Sequence, residues 1–344
     1  MIYSRLARWS EGCKTLRRIV DQMSPRVSII VLNWNGHHLL VECLSALRAQ
    51  TLRDFEMIVV DNGSHDGSLK WLAATAPDVH VIRNDTNLGF ATANNQGIRA
   101  SQAQLIMLLN NDANLAPDCL QVLVEAAERA TWAGMFACKI LQHDAPDRMD
   151  SAGIEVDRAG VAWNRGWGEP AADHTQALEV FGPSAAAAVY RRAMLNQIGL
   201  LDDDFFIYYE DVDLAWRAQW AGWRCLYVPE AMAFHVHSAT TGRGSPLKNF
   251  LLGRNKWRAI VKDYPFTALA IYFPAMVALD VSAALGASWN SRNLGPIRGR
   301  LAVWGDVRKM WRQRRAVRRH APPSLPWRTI LVPIRLRQRL KALR

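Results

Sequence analysis

The sequence has few cysteines and no paired-cysteine motif. Its five cysteines lie far apart and form no CxxC pair, which argues against a disulfide framework or a zinc knuckle and predicts a reducing compartment. The N-terminus carries basic residues, but no apolar run with a small-residue cleavage site follows them. We therefore expect no secretory signal peptide.

Several catalytic signatures are also missing. The chain contains no GxGxxG, no P-loop, no HExxH and no GxSxG, so nothing supports the common dinucleotide-binding, NTPase, zinc-protease or α/β-hydrolase classes. An uncharged stretch of 16 residues between Asp263 and Asp280 is interrupted by Pro265 and Pro274. A membrane-spanning helix needs about 20 apolar residues. We therefore expect an interfacial or re-entrant segment there.

The net charge of +11 is concentrated at one end of the chain. Residues 291–344 contain 16 Lys or Arg and one acid, Asp306, whereas the rest has a slight excess of acidic residues. Such a tail can bind nucleic acid or an anionic membrane surface, or form a solvated helix face. Half of the 344 residues are hydrophobic, which allows a sizeable buried core.

Residues 1–24 carry apolar side chains at helical spacing. Ile2, Leu6, Trp9, Cys13, Leu16, Ile19 and Met23 recur every three or four residues, with Arg and Lys between them. This pattern predicts an amphipathic helix that packs on the body of the protein, on a partner or on a membrane surface.

From residue 25 onward, the pattern alternates between strands and helices. Apolar runs predict strands at Arg26–Asn33, Phe55–Val60, Val79–Ile82 and Leu105–Leu109. Apolar strands joined by helices are typical of an α/β fold with a mostly parallel, Rossmann-like sheet flanked by helices. Ligands of such sheets bind beyond the carboxyl ends of the strands.

The periodicity weakens after this alternation. Between Gln142 and Gly182 it is poor, and Gly, Asp and Trp are frequent, so we expect an irregular insertion that acts as a mobile flap. Helical spacing returns at Arg191–Gly199 and Asp211–Ala221, and Trp223–Val228 predicts a further strand.

Polar clusters stand where the predicted strands end. They are Asn33-Trp34-Asn35-Gly36, Asp61-Asn62-Gly63-Ser64 and Asn110-Asn111-Asp112, with a further glycine turn at Asn87-Leu88-Gly89 before Asn94-Asn95. Each cluster alone also fits turn and helix-cap residues. Together they suit a nucleotide diphosphate, because Asp61 can accept hydrogen bonds from a base or ribose and Asp112 can bind a hard cation between two phosphates.

Three acids lie within four residues further along the chain. Glu210, Asp211 and Asp213 follow the five apolar or aromatic residues Phe205–Tyr209. A helix N-terminus on the surface can carry such acids because of its macrodipole. The aromatic residues before them instead indicate a partly desolvated edge, where a carboxylate can act as a base.

Two histidines follow the last predicted strand. His235 and His237 share one face of an extended segment. Either side chain can bind a cation, although an isolated histidine is more often structural.

Seven segments, in this order, resemble one enzyme family. They are VSIIVLNWNG at 27–36, IVVDNGSHDGS at 58–68, NLGFATANN at 87–95, LLNNDA at 108–113, FFIYYEDVDLAWRAQWAGW at 205–223, FHVHSAT at 234–240 and GRNKW at 253–257. Over residues 25–262 the chain resembles family 2 glycosyltransferases of the GT-A fold, especially the bacterial rhamnosyltransferase-like branch. The resemblance implies an inverting enzyme that moves a sugar from a nucleotide-diphosphate donor to an acceptor hydroxyl.

The resemblance also implies roles for individual residues. Asp61 resembles the residue that contacts the nucleotide base, and Asp211 resembles the general base. Asp112 ends the segment that matches the DxD element, which holds Mg²⁺ or Mn²⁺, and His235 is similar to a histidine that some members add to the metal site. Asn110 stands at the first DxD position, where many members of this branch also have an amide.

The other predicted site residues surround these positions. The predicted donor contacts also include Asn33, Asn62, Asn87, Gly89, Asn95, Asn110 and Asn111, and Glu210 and Asp213 are predicted to orient the acceptor or cap the helix. By family similarity dTDP-L-rhamnose is the first candidate donor, and UDP- and GDP-sugars stay open.

The resemblance divides the chain into three regions. These are the amphipathic helix at 1–24, a GT-A domain at 25–262 and a hydrophobic, then basic, region at 263–344. Lipid-linked glycan acceptors lie at the cytoplasmic face of the bacterial membrane, and a basic tail interleaved with tryptophans suits that anionic surface. We therefore expect a peripheral enzyme on the inner face of the cytoplasmic membrane that glycosylates a glycan or polyprenyl-linked acceptor for cell-surface polysaccharide.

Two alternatives use the same sheet. A non-catalytic nucleotide- or nucleic-acid-binding protein would use the basic tail to bind polyanions, but the tail contains no recognisable nucleic-acid-binding module and the acids at 210–213 would repel phosphates. We therefore expect no nucleic-acid partner. A sugar nucleotidyltransferase would need a glycine-rich basic loop after the first strand, and residues 33–36 do not supply one.

Overall fold

The computed structural model describes residues 24–236, 245–318 and 325–335. The predicted helix at 1–24, apart from its last residue, and the predicted cation ligand His237 lie outside these residues. Within them, one large mixed sheet carries helices on both faces, and a helical region follows it in sequence.

Thirteen strands form two sheets. The strands are β1 (Val27–Asn33), β2 (Phe55–Asn62), β3 (Val79–Asn84), β4 (Leu105–Asn110), β5 (Ala113–Leu115), β6 (Ala133–Gln142), β7 (Ala145–Ser151), β8 (Ile154–Asp157), β9 (Ala162–Asn164), β10 (Leu178–Val180), β11 (Ala187–Arg191), β12 (Arg224–His235) and β13 (Leu331–Val332). The large sheet has the order β10-β12-β6-β11-β4-β1-β2-β3, with β5 beside β12 and β7 beside β6. The small sheet has the order β13-β8-β9.

The parallel half of the large sheet sets the position of the predicted site. Strands β3, β2, β1 and β4 run parallel, and the register pairs Asn33 of β1 with Asp61 of β2 and Leu32 with Asn110 of β4. Because parallel strands end at the same edge of a sheet, the polar residues after β1, β2 and β4 lie side by side.

Eleven helices are described. They are α1 (His37–Arg48), α2 (Ser68–Thr75), α3 (Phe90–Ala100), α4 (Cys119–Arg129), α5 (Arg192–Ile198), α6 (Glu210–Trp220), α7 (Pro246–Asp263), α8 (Phe266–Ser291), α9 (Gly295–Ala302), α10 (Val307–Arg318) and α11 (Trp327–Ile330). The predicted α/β fold, with a mostly parallel sheet in its N-terminal half and a helical C-terminal region, is confirmed.

The strands are buried on both faces, as their continuous apolar runs predict. Side chains of β1 alternate between two cores: Ile30 packs on one face of the sheet, and Ile29 and Val31 pack on the other. Helix α1 covers the second face with Leu40, Cys43, Leu44 and Leu47, all fully buried. Their spacing of three and four residues places them on one side of the helix.

The segment from 142 to 182 differs from the prediction. Instead of an irregular flap, it contains β7, β8, β9 and β10, which pair with β6, with each other or with β12. These strands have three to seven residues and glycine turns between them. Strands this short leave too few positions for a period-two pattern to be detected.

Strand β12 is longer than the sequence pattern predicts and ends at His235. Its last residues pair with β5, and His235 lies opposite Ala113. This pairing brings His235 beside Asp112, which directly precedes β5.

Helix α8 is also longer than predicted. It spans 26 residues and continues through Pro274 and Asp280, and it is the one helix in the described residues that is long and apolar enough to cross a membrane. The buried carboxylate of Asp280 is bound by Lys256 and Trp257 of α7 and by Arg300 of α9. These contacts attach α8 to α7 and α9 at Asp280.

Candidate active site

Asn33 joins the ends of three strands. Its Nδ2 donates to Asp61 Oδ2 at 2.9 Å and to Ser64 Oγ at 3.2 Å, and its Oδ1 accepts from Asn111 Nδ2 at 2.8 Å. Asp61 Oδ1 accepts from the Ser64 backbone N–H at 2.9 Å. Asn33 and Asp61 are fully buried, so they form the base of the polar edge, and the role of Asp61 as a nucleotide contact stays a prediction.

Asn62 organises the neighbouring glycine turn. Its Nδ2 donates to Asn87 Oδ1 at 2.9 Å, and its Oδ1 accepts from the Leu88 backbone N–H at 3.0 Å. Asn87 Oδ1 also accepts from the Gly89 N–H. Gly89 has φ of +85°, and a Cβ there would lie 2.4 Å from the Phe206 ring. Both the backbone conformation and the close approach of this ring therefore require glycine.

A cavity of about 440 Å³ opens at this edge of the sheet, a volume typical of small-molecule sites. Predicted site residues in its lining are Asn62, Asn87, Gly89, Asn110, Asn111 and Asp112. Lining residues that sequence reasoning missed are Leu32, Trp34, Phe90, Phe206, Ile207, Tyr208, Ser245, Leu247, Lys248 and Leu251. Trp34 and 206–208 belong to the motifs that carry the family resemblance, but no sequence signal points to the first turn of α7.

Asp112 and His235 are brought together, as predicted. Asp112 Oδ1 lies 3.2 Å from His235 Nε2, and His235 Nδ1 lies 2.8 Å from Asp150 Oδ2. All three side chains are more than nine-tenths buried. Asp150, on β7, was missed because it is 85 residues away from His235 in the chain.

The two carboxylates determine the charge of His235. Burial disfavours the charged imidazole, but Asp112 and Asp150 outweigh burial and raise the pKa of His235 to about 10. A divalent cation at Asp112 would supply the same charge compensation and displace the Nε2 proton. The Nδ1 contact with Asp150 is the carboxylate–histidine arrangement that orients metal-bound imidazoles.

The donor atoms at Asp112 and His235 fit a divalent cation. A carboxylate oxygen and an imidazole nitrogen together suit Mn²⁺, and oxygen ligands suit Mg²⁺. The described part of the chain holds no group of three or more metal-ligating side chains arranged around one point. A cation there would therefore complete its coordination with diphosphate oxygens and water.

Asp211 lies in the first turn of α6, after an aromatic segment. Its Oδ1 accepts from the Val212 N–H at 2.8 Å, and its Oδ2 accepts from the Ala185 N–H at 3.3 Å. Burial raises the pKa of Asp211 above its usual range, against the effect of these hydrogen bonds. A carboxylate with a raised pKa accepts a proton more readily.

Glu210 is more deeply buried than its neighbour Asp211. Burial, and then the charge of Asp211, raise the pKa of Glu210 well above its usual range. Burial and the neighbouring carboxylate therefore make Glu210 difficult to ionise beside Asp211.

Asp211 and the Asp112 site lie at the same end of the sheet. Ala185, which donates to Asp211, precedes Ala186, whose carbonyl accepts from the Asn110 N–H at 3.0 Å. Tyr208, three residues before Asp211, lines the cavity together with Asp112. Asp112 therefore lines the cavity itself, whereas Asp211 is joined to the cavity lining through the backbone at Tyr208 and Ala185.

Two predicted site residues have structural roles instead. Asp213 is fully buried and forms ion pairs with Arg217 and Lys262, so it does not face an acceptor. Asn95 donates to Leu201 O and Asp203 Oδ1 and accepts from the Leu201 N–H. Its amide thus positions residues 201–203 and does not line the cavity.

Solved structures share this fold. GalNAc-T7, solved with UDP, GalNAc and Mn²⁺, superposes with a TM-score of 0.60 at 16% identity over 83% of this chain and 58% of its own. The mannosyltransferase PcManGT of Pyrobaculum calidifontis, solved with GDP-Man and Mn²⁺, gives a TM-score of 0.50 at 19% identity over 86% and 85% of the two chains. The chain therefore has the GT-A fold of these structures.

The family follows from the sequence comparison. The family model "Glycosyl transferase family 2" matches residues 28–199, and the chain belongs to that family. An N-acetylglucosaminyl-diphospho-decaprenol L-rhamnosyltransferase of Mycobacterium tuberculosis is 28% identical over 64% of this chain and 79% of its own length. A hexosyltransferase of Haloferax volcanii, Agl10, is 24% identical over 61% and 66%. The prediction of a glycosyltransferase is confirmed over that of a non-catalytic binding protein.

Proposed function

We propose that this enzyme transfers a hexose, with L-rhamnose from dTDP-L-rhamnose as the first candidate, onto a polyprenyl-diphosphate-linked sugar with inversion of the anomeric centre. The observation that carries the proposal is that Asp112, which lies beside His235, lines the cavity, and that Asp211 follows the lining residue Tyr208 by three positions. The similarity to a rhamnosyltransferase whose name states a decaprenol-linked acceptor supports this donor and acceptor.

The polar strand ends form the donor site. Asn62, Asn87 and Gly89 line one side of the cavity, and Asn110 and Asn111 line the other. Amide groups donate and accept hydrogen bonds without adding charge, which suits ribose and sugar hydroxyls. Lys248, also in the lining, supplies a positive charge for the donor's diphosphate.

Asp112 and His235 are the proposed ligands of a divalent cation, Mg²⁺ or Mn²⁺. A bound cation neutralises the charge that develops on the leaving diphosphate. Asp150 holds the imidazole ring so that Nε2 points toward Asp112. The backbone contact between Asp112 O and the Val236 N–H, at 2.9 Å, keeps the two ligands on adjacent strands.

Asp211 is the proposed general base. It takes the proton of the acceptor hydroxyl while that oxygen bonds to the anomeric carbon and the bond from this carbon to the diphosphate oxygen breaks. One displacement inverts the anomeric configuration. Burial, and then the charge of Asp211, raise the pKa of Glu210, which disfavours a second negative charge beside the incoming hydroxyl.

Replacing Asp112 with Asn tests the cation site. In the presence of Mn²⁺, we expect Asp112→Asn to weaken dTDP binding by at least roughly 10- to 100-fold, because an amide oxygen replaces an anionic ligand. Titration calorimetry measures this affinity, and turnover across a panel of nucleotide sugars identifies the donor.

The exposed Asp118→Asn exchange is the matched control, because it removes an equal charge at the start of α4. With EDTA, wild type and Asp112→Asn should bind dTDP equally weakly. Equal strengthening by Mn²⁺ in both proteins would exclude Asp112 as a ligand.

The helical region after residue 263 is the proposed membrane-binding surface. Helix α8 buries Ala268, Met276, Asp280 and Ala284 against the protein, whereas it exposes the large apolar side chains of Phe266, Ile271, Phe273, Val281, Leu285 and Trp289. Since Asp280 holds α8 to α7 and α9, we propose that the helix lies along the membrane surface and does not cross it.

Basic and aromatic side chains continue this surface. Trp304 is 75% exposed and Trp311 is 44% exposed, and the exposed arginines beside them include Arg308, Arg312 and Arg315. Tryptophan favours the membrane interface, and arginine is attracted to anionic lipids. This composition matches the cytoplasmic membrane surface at which a lipid-linked acceptor would be presented.

Removing two arginines tests this surface. Each basic residue near an anionic membrane contributes about 1 kcal/mol, so Arg308→Gln with Arg312→Gln should weaken binding to phosphatidylglycerol-containing vesicles by roughly 30-fold. Vesicle sedimentation at several salt concentrations measures the effect. The pair Arg99→Gln with Arg129→Gln removes the same charge from other exposed positions, and an equal loss in both pairs would show only a general charge effect.

A further inference from the structure

We propose that Asn255 is a positioning residue that sets the place of Asp211 by holding the segment 205–209 in a strained conformation. The inference rests on the proposed function, because it takes Asp211 as the base. Neither Asn255 nor this segment contains a group that needs to touch the reacting atoms. The effect is transmitted through the backbone that leads into α6.

The segment before Asp211 has an unusual backbone. Phe206, Tyr208 and Tyr209 have φ values of +65°, +72° and +69°. Bulky L-residues rarely adopt this left-handed region, and three in four positions persist only where surrounding contacts hold them. Tyr209 is the N-cap residue directly before α6, so the segment fixes the direction of the first turn that carries Asp211.

Asn255, in the middle of α7, provides such contacts. It is fully buried, and its Nδ2 lies 2.8 Å from each of the carbonyl oxygens of Phe205, Ile207 and Tyr208. Three acceptors therefore converge on one amide nitrogen with two hydrogens. The neighbouring Arg254 adds bonds from Nη2 to Asp204 O at 3.0 Å and Phe205 O at 3.2 Å.

Residues at the nucleotide-sugar cavity also contact the segment 205–209. The Phe206 carbonyl accepts from the backbone N–H groups of Phe90 and Ala91, in the first turn of α3. The Phe206 ring lies against Gly89, and residues 206–208 line the donor cavity. Residues 205–209 therefore connect the donor site to Asp211, and Asn255 determines their conformation from outside the cavity.

Asn255→Leu removes the two N–H groups that donate hydrogen bonds to the segment 205–209 and keeps the side-chain volume nearly constant. We expect kcat for sugar transfer per folded molecule to fall about 100-fold, as for other small displacements of a catalytic group. We expect dTDP affinity with Mn²⁺ to change less than threefold, because the asparagines and Asp112 that bind the donor do not contact Asn255. The acid limb of the kcat/KM profile should also move toward lower pH as Asp211 becomes more exposed.

The assay uses the full chain, dTDP-L-rhamnose with Mn²⁺ and a short-chain polyprenyl-diphosphate-linked N-acetylglucosamine; if another donor in the panel is turned over faster, that donor replaces it. Gln50→Leu is the matched control: Gln50 is fully buried and also donates to a backbone carbonyl, that of Ala116, at 2.8 Å. It should lose stability without a change in kcat per folded molecule or in the acid limb.

Arg254→Met provides a second variant if Asn255→Leu does not fold. It removes two bonds to the same segment from a less buried side chain, and a fall in kcat with retained dTDP affinity is again expected. An unchanged kcat in the folded variants overturns the inference, and so does an equal loss of kcat and dTDP affinity. If Asp211→Asn retains full activity, the base assignment fails instead, whichever result Asn255→Leu gives.

Discussion

Asp211→Asn is expected to reduce kcat about 10²- to 10⁴-fold while the affinity for the nucleotide changes little. The amide keeps the shape of the side chain, and its one oxygen still accepts from the Val212 N–H, while the longer contact with the Ala185 N–H at 3.3 Å is lost. The hydrogen bond to the Val212 N–H keeps the first turn of α6 close to its place. The amide cannot take the proton of the acceptor hydroxyl, and the range is that of a lost general base. Steady-state transfer kinetics and dTDP titration measure the two effects separately.

The pH dependence of wild-type activity gives an independent check on Asp211. Since burial raises the pKa of Asp211, the acid limb of kcat/KM should lie above the pKa of about 3.9 of an ordinary aspartate. Activity falls as pH decreases through that limb, because the protonated acid cannot act as a base. The limb should be absent from any residual activity of Asp211→Asn.

Asp144→Asn is the control for this exchange, because the Asp144 side chain is 95% exposed and lies outside the cleft. It should change neither kcat nor the acid limb. Wild-type rates in Asp211→Asn would remove Asp211 from the mechanism and leave the acceptor proton to another group.

Asp213→Asn is expected to destabilise the fold by about 3–5 kcal/mol, the usual cost of removing one partner from a buried ion pair. Asp213 is fully buried between Arg217, at 2.9 Å, and Lys262, and both cations are at most 7% exposed. The amide leaves them without their shared anion. Lys262 keeps its ion pair with Asp202 at 2.6 Å, which offsets part of the loss.

Acid denaturation reports the same interaction. Burial opposes ionisation of Asp213, but Lys262 and Arg217 lower its pKa to about 2. A lowered pKa in the folded state gives a stabilisation that is complete above the unfolded pKa of about 3.9 and is lost as pH falls toward 2. Asp213→Asn should lack this component of the acid transition.

Chemical denaturation at neutral pH measures the loss of stability. Glu125→Gln is the comparison, because Glu125 and Arg129 form an exposed pair and its removal should cost less than about 1 kcal/mol. Equal stability of Asp213→Asn and wild type would contradict the buried ion-pair role.

The different roles of Asp211 and Asp213 show what a sequence pattern leaves open. Both acids follow the same aromatic run, and sequence reasoning assigned both to the site. Residues two apart on a helix point in nearly opposite directions, so only one can face the cleft. Which one does so depends on how α6 packs, and Lys262 from α7 settles it by pairing with Asp213.

The proposed cation ligands were indicated by sequence motifs, whereas the contacts of their supporting residues were not. The sequence placed Asp112 and His235 at strand ends, where a motif match indicates them. Asp150 carries no local signal, and the motif that contains Asn255 does not indicate its contacts, because the partners of the two residues are 85 and about 50 residues away. Sequence reasoning about Asn95 was wrong because an amide beside a glycine turn can equally well hold a distant loop.

The sequence by itself determined the parallel sheet, the edge at which the site forms and the family. These depend on apolar runs, on the ends of strands and on short motifs, all of which are local patterns along the chain. Only the tertiary structure decided which acid is held in a buried ion pair, which carboxylate contacts His235, and that Asp280 attaches α8 to α7 and α9. Such contacts join residues far apart in sequence, and packing and buried charge pairing select them.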